Sequence, residues 1–197
     1  AVREGAGPTR IVSLNPCSDA ILAEVAPEKL VAVSAYSHDP SASSMPVDLA
    51  RRWPETGGSV EDIIAARADM VVASSFLPGP TRNALDKLGI PVVTLGMASD
   101  VDGNLAQVRE LADAVGEPEA GGALVQRIEA ALADAAPTEG APQPSTILWQ
   151  PGGIVPGDGA LVVDLMRRVG LRPARPTRAL GQGDRLPLES VIVDPPQ

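Results

Sequence analysis

A six-residue pattern in the first half, Val60-Glu61-Asp62-Ile63-Ile64-Ala65, returns near the end as Leu188-Glu189-Ser190-Val191-Ile192-Val193. Each copy follows a loop and places one glutamate at the start of a short apolar helix. The segments upstream share a plan as well. Arg10 to Leu14 and Thr146 to Gln150 both read as strands, and each leads through a Pro- or Gly-containing loop into an amphipathic helix. A repeated strand, helix and Glu-helix plan constrains the chain to two related lobes with one acidic position on each. Such a pair suits docking onto a two-fold symmetric partner.

Between the two copies the pattern is that of a helix-covered parallel sheet. Ile11 to Leu14, Leu30 to Ser34, Met70 to Ala73 and Pro91 to Leu95 are short apolar runs, and helical spacing separates them. Ser18 is placed to cap a helix carrying Ile21, Leu22 and Val25. Ser59-x-x-Asp62 opens the first Glu-helix as a capping-box-like start, and Gly89 ends the helix from Thr81 to Leu88. The stretch from Tyr36 to Gly58 is rich in Pro, Ser and Asp and reads as irregular. From Val101 the apolar spacing is helical to Gly116, and a second helix from about Glu119 to Ala135 feeds the linker from Pro137 to Pro144.

The expected architecture is α/β: two lobes with mainly parallel, helix-covered sheets, joined by one long backbone helix. Its expected divisions are an N-terminal lobe over 9–116, the backbone helix over 117–137 and a C-terminal lobe over 138–197. The second lobe stops before a strand that its own repeat predicts, so it is expected to be incomplete in this chain. Ala1-Val2-Arg3 opens the chain without Met, consistent with a processed or engineered N-terminus.

Bulk composition narrows the function. At 44 % hydrophobic residues the chain can build a core. The net charge of −9 argues against a nucleic-acid binder, which would show a basic face, and it is unevenly spread: nineteen acidic and ten basic residues precede Pro137 and six of each follow. Aromatics are only 2 %, which excludes a many-walled aromatic cage. The single Cys17 excludes an internal disulfide and a multi-cysteine metal site. No apolar run is long enough to span a bilayer.

Several residues stand out as site candidates. Tyr36 follows a strand end, where open α/β sheets bind ligands. His38 lies beside it, with Asp39 and several serines near, but no G-x-S-x-G elbow accompanies them as a hydrolase would need. Arg175, Arg178 and Arg185 fall in one loop expected to border a cleft. They fit either solvated charge or guanidinium groups gripping an anionic ligand. Gly157-Asp158-Gly159 opens a helix but lacks the third glycine of a dinucleotide fingerprint, and a tight turn accounts for it. Glu61 and Glu189 also fit a plainer role as carboxylates at helix N-termini.

At this point the chain resembles a known family. The residues are Ile11-Val12-Ser13-Leu14-Asn15-Pro16, Val31-Ala32-Val33-Ser34-Ala35-Tyr36-Ser37, Gly58-x-x-Glu61-x-Ile63, Ala68-Asp69-Met70-Val71-Val72, Leu88-Gly89-Ile90-Pro91-Val92 and Leu186-x-x-Glu189. In this order and over nearly the whole length they resemble the substrate-binding proteins of ABC importers for cobalamin, ferric siderophores and haem. The resemblance implies a periplasmic, monomeric receptor that captures a metal chelate, cobalamin or a ferric siderophore, in the cleft between its lobes. It would deliver the chelate to a two-fold symmetric membrane permease. Tyr36, His38, Arg175, Arg178 and Arg185 would then contact the ligand. Glu61 and Glu189 match the glutamates with which such receptors dock onto permease arginines. Neither catalysis nor a resident cofactor or metal is expected, the chelate itself being the cargo.

The chain departs from that family in places. Where cobalamin-binding members carry further ligand-facing tryptophans, it has Ser74-Ser75 and Gly181-Gln182-Gly183. It also lacks the tyrosine that haem-binding members use near Gly58. The alternatives are a hydrolase using His38 on the same kind of sheet, or a truncated remnant that no longer transports.

Overall fold

Three consecutive buried residues, Ile11–Ser13, form β1, the centre of the first sheet. In this computed structural model, which describes residues 7–177 and 180–196, β1 lies between two further parallel strands. These are β2 (Leu30–Ser34) and β4 (Met70–Ser74), both nearly all buried. The edge positions go to β3 (Glu55–Thr56) and β5 (Val92–Leu95), giving the order β3-β2-β1-β4-β5 with every pairing parallel. Ile11, Val12 and Ser13 stand opposite Met70, Val71 and Val72.

Side chains alternate across a strand, so successive residues serve two cores. Ile11, Val33, Met70 and Val72 pack with Leu22 and Val25 of α1 (Pro16–Val25) and with Leu111. Val12, Ala32, Val71 and Ala73 face the other way. They pack with Ile63 of α3 (Val60–Ala65) and Leu85 of α4 (Gly79–Leu88). Helices thus cover both faces, which is why the central strands read as unbroken apolar runs rather than alternating ones.

Two local expectations differ from the structure. Asn15, not Ser18, caps α1: its side chain accepts from the Cys17 N–H at 2.8 Å, and Pro16 occupies the first helical position. Ser18 sits inside the helix, where its hydroxyl donates to the Asn15 carbonyl at 2.9 Å. The segment expected to be irregular after Tyr36 holds a 3-10 turn over Ala35–His38, one helical turn α2 (Val47–Ala50) and β3.

α5 (Val101–Ala114) and α6 (Pro118–Asp134) follow the first sheet. The chain divides into two units, 1–97 with 108–124 and 98–107 with 125–197, so α6 runs through the boundary. In the second unit the strand expected over Thr146 to Gln150 shrinks to β6 (Ser145–Thr146), parallel to β8 (Arg172–Pro173). Residues 147–150 lie outside any strand, Pro151 follows them, and Gly152 and Gly153 take positive φ of 80° and 78°. Both features interrupt an extended run beyond Thr146. A second pair, β7 (Ile154–Val155) with β9 (Asp184–Arg185), is antiparallel. α7 (Leu161–Arg168) and α8 (Leu188–Val193) complete the unit. Asp164 on α7 accepts from the Val101 N–H at 3.0 Å, which satisfies a free donor at the start of α5.

Candidate functional site

The strand order of the first sheet reverses between β1 and β4, and the loops after these strands leave its carboxyl edge. In open α/β sheets that edge is where ligands bind. Here it carries three large exposed side chains: Tyr36 after β2 (64 % exposed), Phe76 after β4 (76 %) and Met97 after β5 (67 %). Tyr36 was legible in the sequence. Phe76 and Met97 were not singled out, although Phe76 is the chain's one phenylalanine and each follows a strand end.

Tyr36 and Phe76 are presented by the same local device. Each follows by two residues a serine that ends its strand. The Tyr36 N–H donates to the Ser34 hydroxyl at 3.2 Å, and the Phe76 N–H donates to the Ser74 hydroxyl at 3.3 Å. A hydroxyl that accepts two residues on turns the chain sharply and points the next side chains outward.

Beneath the Tyr36 turn lies a fully buried carboxyl. Asp19, in the first turn of α1, accepts from the Ser34 N–H at 2.9 Å and from the Ser37 hydroxyl at 2.6 Å, both through Oδ2. Its Oδ1 is buried without a hydrogen-bond partner. Burial pushes the Asp19 carboxyl up from 3.8 to about 6, against the pull of these bonds.

His38 closes the other side of the turn. Its Nε2 lies 3.2 Å from the Ala50 carbonyl and 3.1 Å from the Trp53 carbonyl. Carbonyls only accept, so Nε2 carries a hydrogen. Nδ1 lies 3.4 Å from a Glu55 carboxylate oxygen. Both ring nitrogens are therefore engaged by backbone carbonyls and a carboxylate, and His38 shows no serine or cysteine pairing of the kind nucleophilic catalysis requires. Asp39, next in sequence, is held below the usual carboxylate range by the Ser41 N–H and hydroxyl.

In the second unit, Arg175 opens a 3-10 turn over Arg175–Thr177 and is exposed, as is Arg185 on β9. Arg178 lies outside the described residues. Two neighbouring arginines are committed: Arg167 pairs with Asp158 at 2.6 Å, and Arg168 with Asp164 at 2.9 Å and Asp102 at 3.2 Å. A shallow cavity of about 480 Å³ is lined by Gln143, Asp158, Arg167, Leu171, Arg172 and Pro173, and neither Arg175 nor Arg185 enters it.

Glu61 and Glu189 occupy the same place in their helices, the second residue of α3 and of α8, and both are exposed. The helices differ at the cap. Ser59 accepts from the Asp62 N–H ahead of Glu61, whereas Pro187 ahead of Glu189 offers no side-chain bond. Among the described residues no group of three or more His, Cys, Asp and Glu side chains is placed to hold a metal ion. None of the described helices is long and apolar enough to cross a membrane.

The model of one protein family, described as periplasmic binding protein, matches residues 11–197. No curated protein sequence matches the chain. Among solved structures it is similar to a possible iron-binding (periplasmic solute-binding) protein from Staphylococcus epidermidis, with a TM-score of 0.75 at 18 % identity, over 95 % of this chain and 74 % of that one. It is similar also to two proteins of Vibrio cholerae. For the periplasmic heme-binding protein HutB the TM-score is 0.73 at 21 % identity, over 94 % and 73 % of the two chains. For the periplasmic vitamin B12-binding protein BtuF it is 0.68 at 19 % identity, over 96 % and 74 %. Identities this low speak for a shared fold.

Proposed function

The chain belongs to the periplasmic binding protein family, and on that premise we propose that it is the substrate-binding receptor of an ABC importer whose cargo is a metal chelate. The observation that supports this most directly is the carboxyl edge of the first sheet, where Tyr36, Phe76 and Met97 are exposed after β2, β4 and β5. Two exposed aromatic rings and a thioether at one sheet edge suit the apolar periphery of a large organic chelate better than a small polar solute. The solved structures of similar fold include proteins named for heme and vitamin B12, which is in keeping with that class. Cobalamin and ferric siderophores are the chelates we favour. The exposed Arg175 and Arg185 of the second unit would serve an anionic one.

Glu61 and Glu189 are assigned to docking on the permease, one from each unit, because each is an exposed carboxylate at the same helical position. The receptor acts as a monomer and performs no chemistry on its cargo. The hydrolase alternative has no support in the bonding of His38.

Titration of tryptophan fluorescence with cyanocobalamin, haemin and a panel of ferric siderophores tests the reading. Saturable quenching by one chelate at micromolar or lower concentration is the expected result, weakened about tenfold or more by Tyr36→Ala, since a buried aromatic contact contributes on the order of 1–3 kcal/mol. Silence with every chelate would overturn it.

A further inference from the structure

Glu61 and Glu189 share more than their place in a helix. The residue three positions on is isoleucine in both copies of the repeat, Ile64 and Ile192, and on a helix residues three apart stand on one face. Both isoleucines are exposed, at 51 % and 70 %. In the first unit the fold does not account for this. Ile63 is the residue of α3 that enters the core, fully buried in the cluster with Val12, Val71 and Leu85, whereas Ile64 packs on neither core. Away from the carboxyl edge, Leu88 is the one other large apolar side chain of that unit left exposed among the described residues. A single exposed apolar residue is ordinary on a protein surface. One that recurs at the same helical position, beside a carboxylate, in both copies of a repeat is not. The two carboxylates are also unengaged, with no hydrogen bond or ion pair among the described residues. Asp62, next to Glu61, is instead turned back onto the Thr56 hydroxyl, from which it accepts at 3.5 Å.

We propose that each glutamate and its isoleucine form one docking knob, and that the permease offers, twice, a cationic group beside an apolar socket. The inference rests on the docking role proposed above for Glu61 and Glu189, and it adds Ile64 and Ile192 to that surface. The two parts of a knob do different work. A charge at the rim steers the encounter and sets register, and salt screens it. An apolar side chain seated in a socket leaves water altogether, and its loss shows as faster release. A second copy of this chain is the wrong occupant. It would set carboxylate against carboxylate on a chain whose net charge is already −9.

Binding of the full chain to the permease of its importer, purified and held in lipid nanodiscs, tests the proposal. Ile64→Ser and Ile192→Ser are each expected to weaken binding about tenfold, mainly through faster release, because each removes an apolar side chain that the complex buries. Leu88→Ser, equally exposed but with no glutamate beside it, should bind as the wild type does. Raising salt from about 0.1 M to about 1 M should shrink the loss caused by Glu61→Gln or Glu189→Gln and leave the loss caused by the isoleucine variants in place. If the glutamate variants lose binding and the isoleucine variants do not, the knob is overturned while the docking role of the glutamates stands. A wild-type chain that does not bind overturns both, and the chelate titration, made without permease, is unaffected by that result. Sedimentation velocity of the free chain closes the remaining route. A dimer that Ile64→Ser and Ile192→Ser disperse would assign the isoleucines to self-association and overturn the proposal, whereas a monomer at every concentration supports it.

Discussion

Asp19 and Asp69 pull the pH dependence of the first unit in opposite directions. Burial raises the Asp19 carboxyl from 3.8 to about 6, so the neutral acid is the form the fold prefers. Its contribution is fully present below 3.8 and is lost as pH rises through about 6, a loss on the order of 3 kcal/mol for a shift of that size. Asp69 is the converse. Burial raises it, but the Thr9 hydroxyl and the N–H groups of Thr9 and Arg10 outweigh that and hold it below its usual range. Its contribution is present above 3.8 and disappears as pH falls further. Urea midpoints are expected to rise at about pH 8 in Asp19→Asn and to fall there in Asp69→Asn. Equal midpoints for Asp19→Asn and wild type at about pH 8 would show that burial does not raise the Asp19 carboxyl. Asp69 lay in the Ala68-Asp69-Met70 stretch without any role read for it, and Asp19 drew no reading at all. An aspartate in a first helical turn reads as a solvated dipole partner, and only the approach of Ser34 and Ser37 from another element buries it.

At the scale of elements, two adjacent glycines in α6 make opposite predictions. A Cβ on Gly121 would come 2.3 Å from the Ala112 Cβ of α5, whereas one on Gly122 would meet nothing within 4 Å. Alanine is the better helix former by about 1 kcal/mol, so Gly122→Ala should stabilise by up to that amount. Gly121→Ala should destabilise by roughly 1–3 kcal/mol despite the same gain, because two helix backbones must separate. Urea unfolding of the two variants checks both, and equal shifts would refute the close approach. The pair Gly121-Gly122 is visible in the sequence, yet helical spacing does not tell which one faces a neighbour. β1, β2 and β4 were readable because strands covered on both faces need continuous apolar runs. β3 and the two-residue strands of the second unit were not. Strands that short carry no periodicity, and Pro and Gly interrupt them.

Across the whole molecule, each unit holds one tryptophan: Trp53, buried in the first, and Trp149, 45 % exposed in the second. Among the described residues the first unit has a five-stranded sheet with a core on each face, and the second has two sheets of two strands each. Stability should follow that difference. In urea the Trp149 signal, followed in Trp53→Phe, is expected to be lost before the Trp53 signal, followed in Trp149→Phe. Coincident transitions would show one cooperative unit instead. The sequence alone determined the α/β class, the parallel first sheet and the recurrence of a Glu-helix, since these rest on the periodicity of apolar residues and on local caps. The site was legible only in part. Tyr36 stood out as the single tyrosine after a strand end. That Phe76 and Met97 are exposed at the same sheet edge depends on β2, β4 and β5 running parallel in one sheet, and that arrangement is decided by packing between elements far apart in the chain. Tertiary structure likewise decided the state of Asp19 and the bonding of His38, because burial and hydrogen-bond partners are properties of the assembled fold.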